Sequence, residues 1–463
     1  MSNAVIYNRE LIEHYNRSCP RYTSYPTVAQ FNNRIDGSTY RSWVQHSNED
    51  PIPHPLSLYF HIPFCDTTCY YCACNKIVTQ NRKLAAAYLD DLFREIELQS
   101  ALFDSDRVVE QIYWGGGTPT YLEDDQIIGL MDKIHRHFRL RNDDGGDYTI
   151  EIDPRRTSPR TIKQLRKLGF NRLSLGVQDF NPEVQSALNR SQSFEQIHQV
   201  LDSARNARYK TTNIDLIYGL PLQTTSRFSA TLERVIELNP ERITLYNYAH
   251  MPQVFPAQLN IVESDLPEAE EKVSMRQYAT GRLSRAGFIE IGLNCFTRPL
   301  DELSVAQRNG RLHRNFQGYS AHPECDSVAM GLSAISNIGD HYCQNTSDLD
   351  TYHDELQQNR LPIKHGFETE QTDILRRDII QQLICYFRLD IRSIENRWKI
   401  NFYTVFANEL LRLAEMEKEG LLQLHEGNLV ILDSGRPLVR SICSVFDRYI
   451  VPEHSPPADS KPS

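Results

Sequence analysis

The sequence predicts an α/β protein: a partial barrel of six parallel strand–helix units with a helix-rich, winged-helix-like domain after it. Three observations lead there. Between about residues 56 and 250, short β-type runs alternate with amphipathic helical stretches, the pattern of repeated βα units on a parallel sheet. The runs number six, fewer than the eight strands of a closed barrel. The segments richest in Cys, Gly and acidic residues fall at the ends of these runs, where parallel sheets carry their sites.

The strands are expected at LSLYFHI (56–62), VEQIYWG (109–115), YTIEID (148–153), NRLSLGV (171–177), TNIDLIYG (212–219) and RITLYNY (242–248). Helical periodicity is expected over Ala85–Leu102, Gln126–Phe138, Arg160–Leu168, Phe194–Ala207 and Arg227–Leu238. Residues 1–50 form an N-terminal segment containing PRYTSYPTVAQF, and 51–350 hold the barrel and a mixed extension. Residues 351–452 read as the C-terminal helical domain. There FANELLRLAEMEKEG, LLQLHEGNLVILDSG and RPLVRSICSVFDRYI give helix, hairpin and helix, with the turn at EGN. Residues 453–463, rich in Pro and Ser, read as a disordered tail.

Composition narrows the function classes. A formal net charge of −10 argues against a general nucleic-acid binder. No apolar stretch is long enough to cross a bilayer, and the N-terminus lacks a secretory apolar core. Cytoplasm is the expected location and a monomer the expected state, with no membrane or nucleic-acid partner. In that compartment clustered thiols point to metal or redox chemistry rather than to a disulfide framework.

Four of the ten cysteines crowd into FHIPFCDTTCYYCACNKIV: Cys65, Cys69, Cys72 and Cys74, spaced C-x3-C-x2-C-x-C directly after the first strand run. Zinc sites more often pair C-x2-C units across a longer spacer. Three thiols wrapped on one loop suit three irons of a [4Fe–4S] cluster and leave the fourth iron open to a cofactor. A zinc knuckle is the alternative.

This loop, with Tyr71 before its third cysteine, resembles the radical S-adenosylmethionine (SAM) signature. The surrounding text resembles the oxygen-independent coproporphyrinogen III oxidases, in order, from RYTSYPT through WGGGTPTYL, EIDPR, NRLSLGVQDFN, TNIDLIYGLP and YNYAH to LHRNFQGY and GLSAISNIGD. The resemblance implies a radical SAM barrel covered by the N-terminal segment, with Cys65, Cys69 and Cys72 as iron ligands and Cys74 as a catalytic residue. It implies that Tyr59, Gly116, Thr118, Glu151 and Ile335 hold the cluster-bound SAM. Gly117, Gln178, Arg190, Asp215, Ile217 and Ala249 match positions holding a second SAM. Arg21 in RYTSYPT would recognise substrate propionates, a pairing that suits a guanidinium, with His313 and Arg314 as weaker candidates.

The implied activity is anaerobic decarboxylation of two propionates of coproporphyrinogen III to vinyls, giving protoporphyrinogen IX in haem biosynthesis. A 5′-deoxyadenosyl radical removes the hydrogen, and a reducing donor and an electron acceptor complete the reaction. The alternatives are a related enzyme on another tetrapyrrole and a non-catalytic haem-binding or delivery protein. One departure stands out. Where the family reads Asp-His, this chain has Asn294 and Cys295 in GLNCFTRP, an amide and a thiol that do not readily carry charge or shuttle protons.

Overall fold

Six strands lie where the alternation of apolar runs puts them: β1 Leu56–Ile62, β2 Val108–Gly116, β3 Asp147–Ile152, β4 Arg172–Gln178, β5 Thr211–Tyr218 and β6 Arg242–Asn247. The computed structural model describes residues 9–15 and 19–450. The proposed disordered tail, 453–463, lies outside the described residues. Each strand pairs in parallel with the next, in sequence order.

A seventh parallel strand, Asp326–Met330, joins on the outer side of β1. All five of its residues are buried. It lacks the alternation of a half-exposed strand, and no crossover helix of the usual length announces it, so periodicity passes over it. Antiparallel strands extend the sheet at both ends: Cys295–Thr297 and Ile289–Gly292 beyond β6, and Ile335–Ile338, His341–Asn345 and Ile363–Phe367 beyond the seventh strand. The result is an open path rather than a closed ring.

The crossover helices fall within a few residues of their expected spans: Arg82–Ser100, Asp124–His137, Pro159–Lys167, Phe194–Asn206 and Thr225–Leu238. Their start signals are side-chain caps. Ser158 Oγ accepts from the Thr161 amide, and Ser193 with Gln196 forms a capping box. These helices cover one face of the sheet with Leu92, Ile96, Leu130, Ile162, Leu201 and Leu232, all essentially inaccessible to solvent. The other face lines the barrel interior.

The chain divides into two units, one of residues 31–369 and one of residues 1–30 with 370–463. The expected limits were 50 and 350. The helix Gly37–Asn48 sits in the barrel unit because Tyr40, Trp43 and Val44 are buried in its core. Residues 351–369 stay there too, through Tyr352, Leu356 and the strand Ile363–Phe367.

In the second unit, Arg388–Asp390, Asn428–Ile431 and Leu422–His425 make a three-stranded antiparallel sheet beside the helices Gln371–Tyr386 and Ala407–Lys418, a helix-and-hairpin arrangement of winged type. Phe402, Phe406 and Phe446 pack together in its core. The RYTSYPT segment folds onto this unit. Tyr22 Oη donates to Asp447 Oδ2 at 3.1 Å, and the Arg448 amide donates to Tyr25 Oη at 3.0 Å.

The seventh strand begins on a buried ion pair, Arg107 Nη2 to Asp326 Oδ2 at 2.6 Å, with both side chains 2% exposed. Arg107 also donates to the His54 carbonyl and the Asn48 side chain. Removing one partner strands the other's charge in the core. Arg107→Met is therefore expected to cost about 3–5 kcal/mol, read as a lowered urea midpoint at unchanged m-value.

Candidate active site

Strand alternation puts one set of side chains on the inner face of the barrel. Tyr59 and His61 come from β1, Tyr113 from β2, Glu151 from β3, Ser174 from β4, Asn213 and Asp215 from β5, and Thr244 from β6. The registers Tyr59↔Tyr113, Glu151↔Ser174, Ser174↔Asn213 and Asp215↔Thr244 align them in rows. Hydrogen bonds run around this wall. Tyr113 Oη donates to Glu151 Oε1 at 2.7 Å, Ser174 Oγ to Asp215 Oδ2 at 3.2 Å, Asn213 Nδ2 to Asp215 Oδ1 at 2.9 Å, and Thr244 Oγ1 to Asn213 Oδ1 at 2.9 Å.

Among the described residues no cation forms an ion pair with either carboxyl in this wall. Burial pushes Glu151 up to about 7 and Asp215 up to about 6; the Asp215 charge raises Glu151 further, while hydrogen-bond donors hold both back and the Arg190 charge also lowers Asp215. The site thus holds two carboxyl groups that gain by meeting a cationic ligand.

The cysteine loop leaves the end of β1 and has little regular structure of its own, so its neighbours hold it. At its start Asp66 takes Arg82 Nη2 at 2.9 Å and Arg156 Nε at 2.8 Å. In its middle the Tyr70 amide donates to the Leu188 carbonyl and Asn189 Nδ2 to the Thr68 carbonyl. Tyr70 and Tyr71 pack against a small apolar cluster that includes Leu188, Ile217, Leu220 and Tyr248. At its exit Asn75 Nδ2 donates to Ser333 Oγ at 2.9 Å.

His61 links this exit to β1. Its Nδ1 accepts from Tyr59 Oη at 3.1 Å, and its Nε2–H donates to the Asn75 carbonyl at 2.9 Å. The Asn75 carbonyl can only accept, which makes Nε2 the donor, and burial draws the ring's pKa to about 4, so it is neutral near pH 7.

The thiols differ. Cys65 is half-buried, 3.5 Å from Thr118 Oγ1, and burial pushes it up to about 11. Cys69 is buried and receives Arg190 Nη1 at 3.5 Å. Hydrogen bonding from Cys74 and the nearby Lys76 ammonium draw Cys72 down to about 6, toward the thiolate that binds metal. Cys74 is the exposed member. Among the described residues no trio of Cys, His, Asp or Glu converges on a single-ion site. A four-iron cluster does not need one, because each thiolate binds its own iron.

The glycine turn has a packing reason. A Cβ on Gly117 would sit 2.6 Å from the Pro63 carbonyl carbon and oxygen, and one on Gly116 (φ +112°) 2.7 Å from the His61 ring. The Gly117 and Thr118 amides donate to the Ile62 and Phe64 carbonyls at 2.9 Å each, and the Gly116 amide serves Glu151. Sequence reasoning offered these amides to a ligand. They are instead engaged within the protein, which leaves the turn's carbonyl oxygens as the groups that can meet a ligand's donor.

The remaining expected residues fall as follows. Gln178 ends β4 with a left-handed backbone (φ +68°), and its buried Oε1 has no hydrogen-bond partner. A left-handed backbone and an unpaired buried amide oxygen at the end of a strand leave a polar group able to meet a ligand. Arg190 lies beside it, its Nε also unpartnered. Ile217 is in the cluster under Tyr71. The Ala249 carbonyl accepts from Gln258 Nε2 at 3.2 Å. Ile335 opens the strand two residues past Ser333. Arg21 belongs to the other unit, where its side chain is exposed.

Cys295 pairs in register with Thr244, and burial holds its thiol up at about 12; it is neutral. Asn294 gives its carbonyl to the Leu245 amide. His61, Asp66, Asn75 and Gln258 were not singled out from the sequence. Of these only His61 carried a signal, its i, i+2 spacing from Tyr59 on β1.

A family model of the radical SAM superfamily matches residues 59–235, and an open parallel barrel with a three-thiol loop after its first strand is the protein class in question. The oxygen-independent coproporphyrinogen III oxidase of Pseudomonas aeruginosa is 46% identical over 97% of each chain. That of Escherichia coli K12 is 46% identical over 95% of each. The solved structure of the E. coli coproporphyrinogen III oxidase HemN, a radical SAM enzyme, matches with a TM-score of 0.92 at 44% identity, covering 97% of this chain and 100% of that one. The chain belongs to the family of oxygen-independent coproporphyrinogen III oxidases. Membership implies a [4Fe–4S] cluster and SAM, and the free thiols, the unsatisfied Gln178 and the near-neutral carboxyls fit such groups.

Glu151, Asp215 and the fully buried Glu95, also raised to about 7 by burial, have a common consequence for stability. Between about pH 4.5 and about pH 7 the unfolded chain has lost protons that the folded chain retains, so stability falls as pH rises through that window. In the cofactor-free protein Glu151→Gln should flatten this decline, measured by urea unfolding at about pH 5 and about pH 7.5. An equal slope in both proteins would contradict the assignment.

Proposed function

We propose that the protein converts coproporphyrinogen III to protoporphyrinogen IX without oxygen, decarboxylating two propionates to vinyls. One observation carries the reading. A chain similar along its whole length to enzymes named for this reaction has a free three-thiol loop beside an inner wall of near-neutral carboxyls.

In this reading Cys65, Cys69 and Cys72 each hold one iron, and Cys74, exposed and outside the triad, serves catalysis. Tyr59, Gly116, Thr118, Glu151 and Ile335 hold the cluster-bound SAM, with Tyr71 packed beside the loop. Gly117, Gln178, Arg190, Asp215, Ile217 and Ala249 hold a second. Together the cluster and SAM supply one-electron chemistry able to take hydrogen from an unactivated C–H bond, which no side-chain base can do.

The chain's own residues bind and orient. Burial raises the pKa of Glu151, and a cationic group beside it favours loss of its proton. The carbonyls of the glycine turn accept from an ammonium. Arg21 pairs with a substrate carboxylate. Per propionate, CO2, one hydrogen atom and one electron leave, so an external reductant and a separate electron acceptor are required. The protein is taken to be a cytoplasmic monomer that uses neither membrane nor nucleic acid; its net charge of −10 speaks against nucleic acid, and among the described residues no helix is long and apolar enough to cross a membrane.

The test is anaerobic incubation with dithionite, SAM and coproporphyrinogen III, with loss of two CO2 per molecule expected. Formation of 5′-deoxyadenosine only with another tetrapyrrole, or haem binding without SAM cleavage, would overturn it. Replacing Cys65, Cys69 or Cys72 by Ala should abolish most reconstituted iron and its brown absorbance, whereas Cys74→Ala should keep the cluster and lose product. Asp215→Ala should slow turnover and leave the cluster's spectroscopic response to SAM intact; loss of that response would show that Asp215 serves the first SAM.

A further inference from the structure

We infer that Arg190 raises the reduction potential of the iron–sulfur cluster by donating a hydrogen bond, and its positive charge, to the sulfur of Cys69. This rests on the reading of Cys69 as an iron ligand. It gives Arg190 a role toward the cluster that is separate from holding a second SAM.

Arg190 follows the short helix Pro182–Ala187 and turns back under the cysteine loop. Its Nη1 lies 3.5 Å from Cys69 Sγ, and its Nη2 donates to the Gly176 carbonyl at 2.6 Å. The Gly176 contact and the surrounding protein fix the guanidinium plane, and the residue is only 8% exposed. A planar fork held at one nitrogen presents the other in a set direction.

The local charge count gives this contact its weight. The ionisable groups acting on Arg190 include Tyr71, Asp153, Cys69, the neighbouring Arg155 and, more weakly, Asp215. Asp153 stands 3.5 Å from Arg190 Nη1, but Arg155 already holds it through three contacts of 2.6, 3.0 and 3.1 Å. Within ion-pair distance two guanidiniums share one carboxylate, so positive charge in this largely buried place is only partly offset. A charge there is costly without an anion. The Cys69 sulfur, as a thiolate, is the anion within reach.

One-electron reduction adds one negative charge to the group that Cys69 ligates. The partly offset positive charge favours the reduced form, and hydrogen bonds to the ligating sulfurs and net charge are the levers that set such potentials. The effect is strongest where water is excluded. Arg190 is a positioning and tuning residue in this account; its contact is to the ligand sulfur.

The experiment reconstitutes wild type, Arg190→Gln, Arg190→Lys and Asp153→Asn anaerobically and assays iron and sulfide. Each is then titrated with dithionite and mediators in the absence of SAM, following the EPR signal of the reduced cluster. Arg190→Gln should keep its iron and become harder to reduce, by about tenfold in the reduction equilibrium, which is about 59 mV for one electron. Arg190→Lys, which keeps the charge, should shift less in the same direction. Asp153→Asn, which removes the competing carboxylate, should shift the opposite way, and these two variants decide the matter if Arg190→Gln fails to fold. A full cluster with an unchanged potential in Arg190→Gln, or no opposite shift in Asp153→Asn, overturns the inference and leaves the proposed function standing. Wild type that takes up no iron overturns the cluster assignment itself, and this inference with it.

Discussion

Everything at the mouth of the barrel depends on how closely the chain after β2 approaches the chain after β1. The cysteine loop cannot hold its own shape, because its backbone makes few hydrogen bonds within itself. Its entry is fixed where Gly117 and Thr118 donate to the Ile62 and Phe64 carbonyls, and where Ile77 donates back to Pro63 at 2.7 Å. That approach leaves no room for a Cβ on Gly116 or Gly117. A side chain at either position would meet backbone or a buried ring that cannot yield. The glycines are thus a steric condition for the thiols' position before they are anything to a ligand.

From this junction the other anchors follow in order along the loop. Asp66 ties the first interval to two arginines, the tyrosine pair docks on an apolar cluster, and Asn75 bridges to His61 and Ser333. The neutral state of His61 matters here. Burial keeps its pKa near 4, so at neutral pH Nδ1 is free to accept from Tyr59 while Nε2–H donates to Asn75. The anchors come from different segments of the barrel, including the helix starting at Arg82 and the turn after Pro182–Ala187, so the packed fold is what aligns them.

The two ends of the barrel use charge in opposite ways. At the bottom, Arg242 pairs with Asp301 and Glu302, Arg172 with Asp147 and Glu302, and His322 with Asp147. This closed network of opposite charges holds β3, β4 and β6 to the extension. Higher up, neither Glu151 nor Asp215 has an ion pair among the described residues, and Arg190 shares its one paired carboxylate with Arg155, so opposite charges are less closely matched there. Incomplete balance costs stability, and a cationic ligand and an anionic cluster are the chemical complements that would restore it.

The strand and helix positions of the barrel were legible in the sequence because their signals are local: period-two and near-four periodicity, caps such as Ser158 and Ser193, and turn residues between them. The four thiols and the glycine run were legible for the same reason, each being a contiguous pattern. Tertiary structure alone decided the rest. The strand Asp326–Met330 is buried on both faces, and its parallel partner β1 lies far away in sequence, so nothing local distinguishes it. His61, Asn75, Ser333 and Arg156 act through contacts between distant segments, and an amide or hydroxyl does not reveal its partner until the chain is folded. The glycine amides read as open to a ligand until the fold showed them engaged by Ile62 and Glu151. The Arg190–Cys69 contact spans 121 residues. A residue type and its spacing record what chemistry a segment can offer; which groups meet, and which charge is left unbalanced, depends on the register and burial that only the packed fold sets.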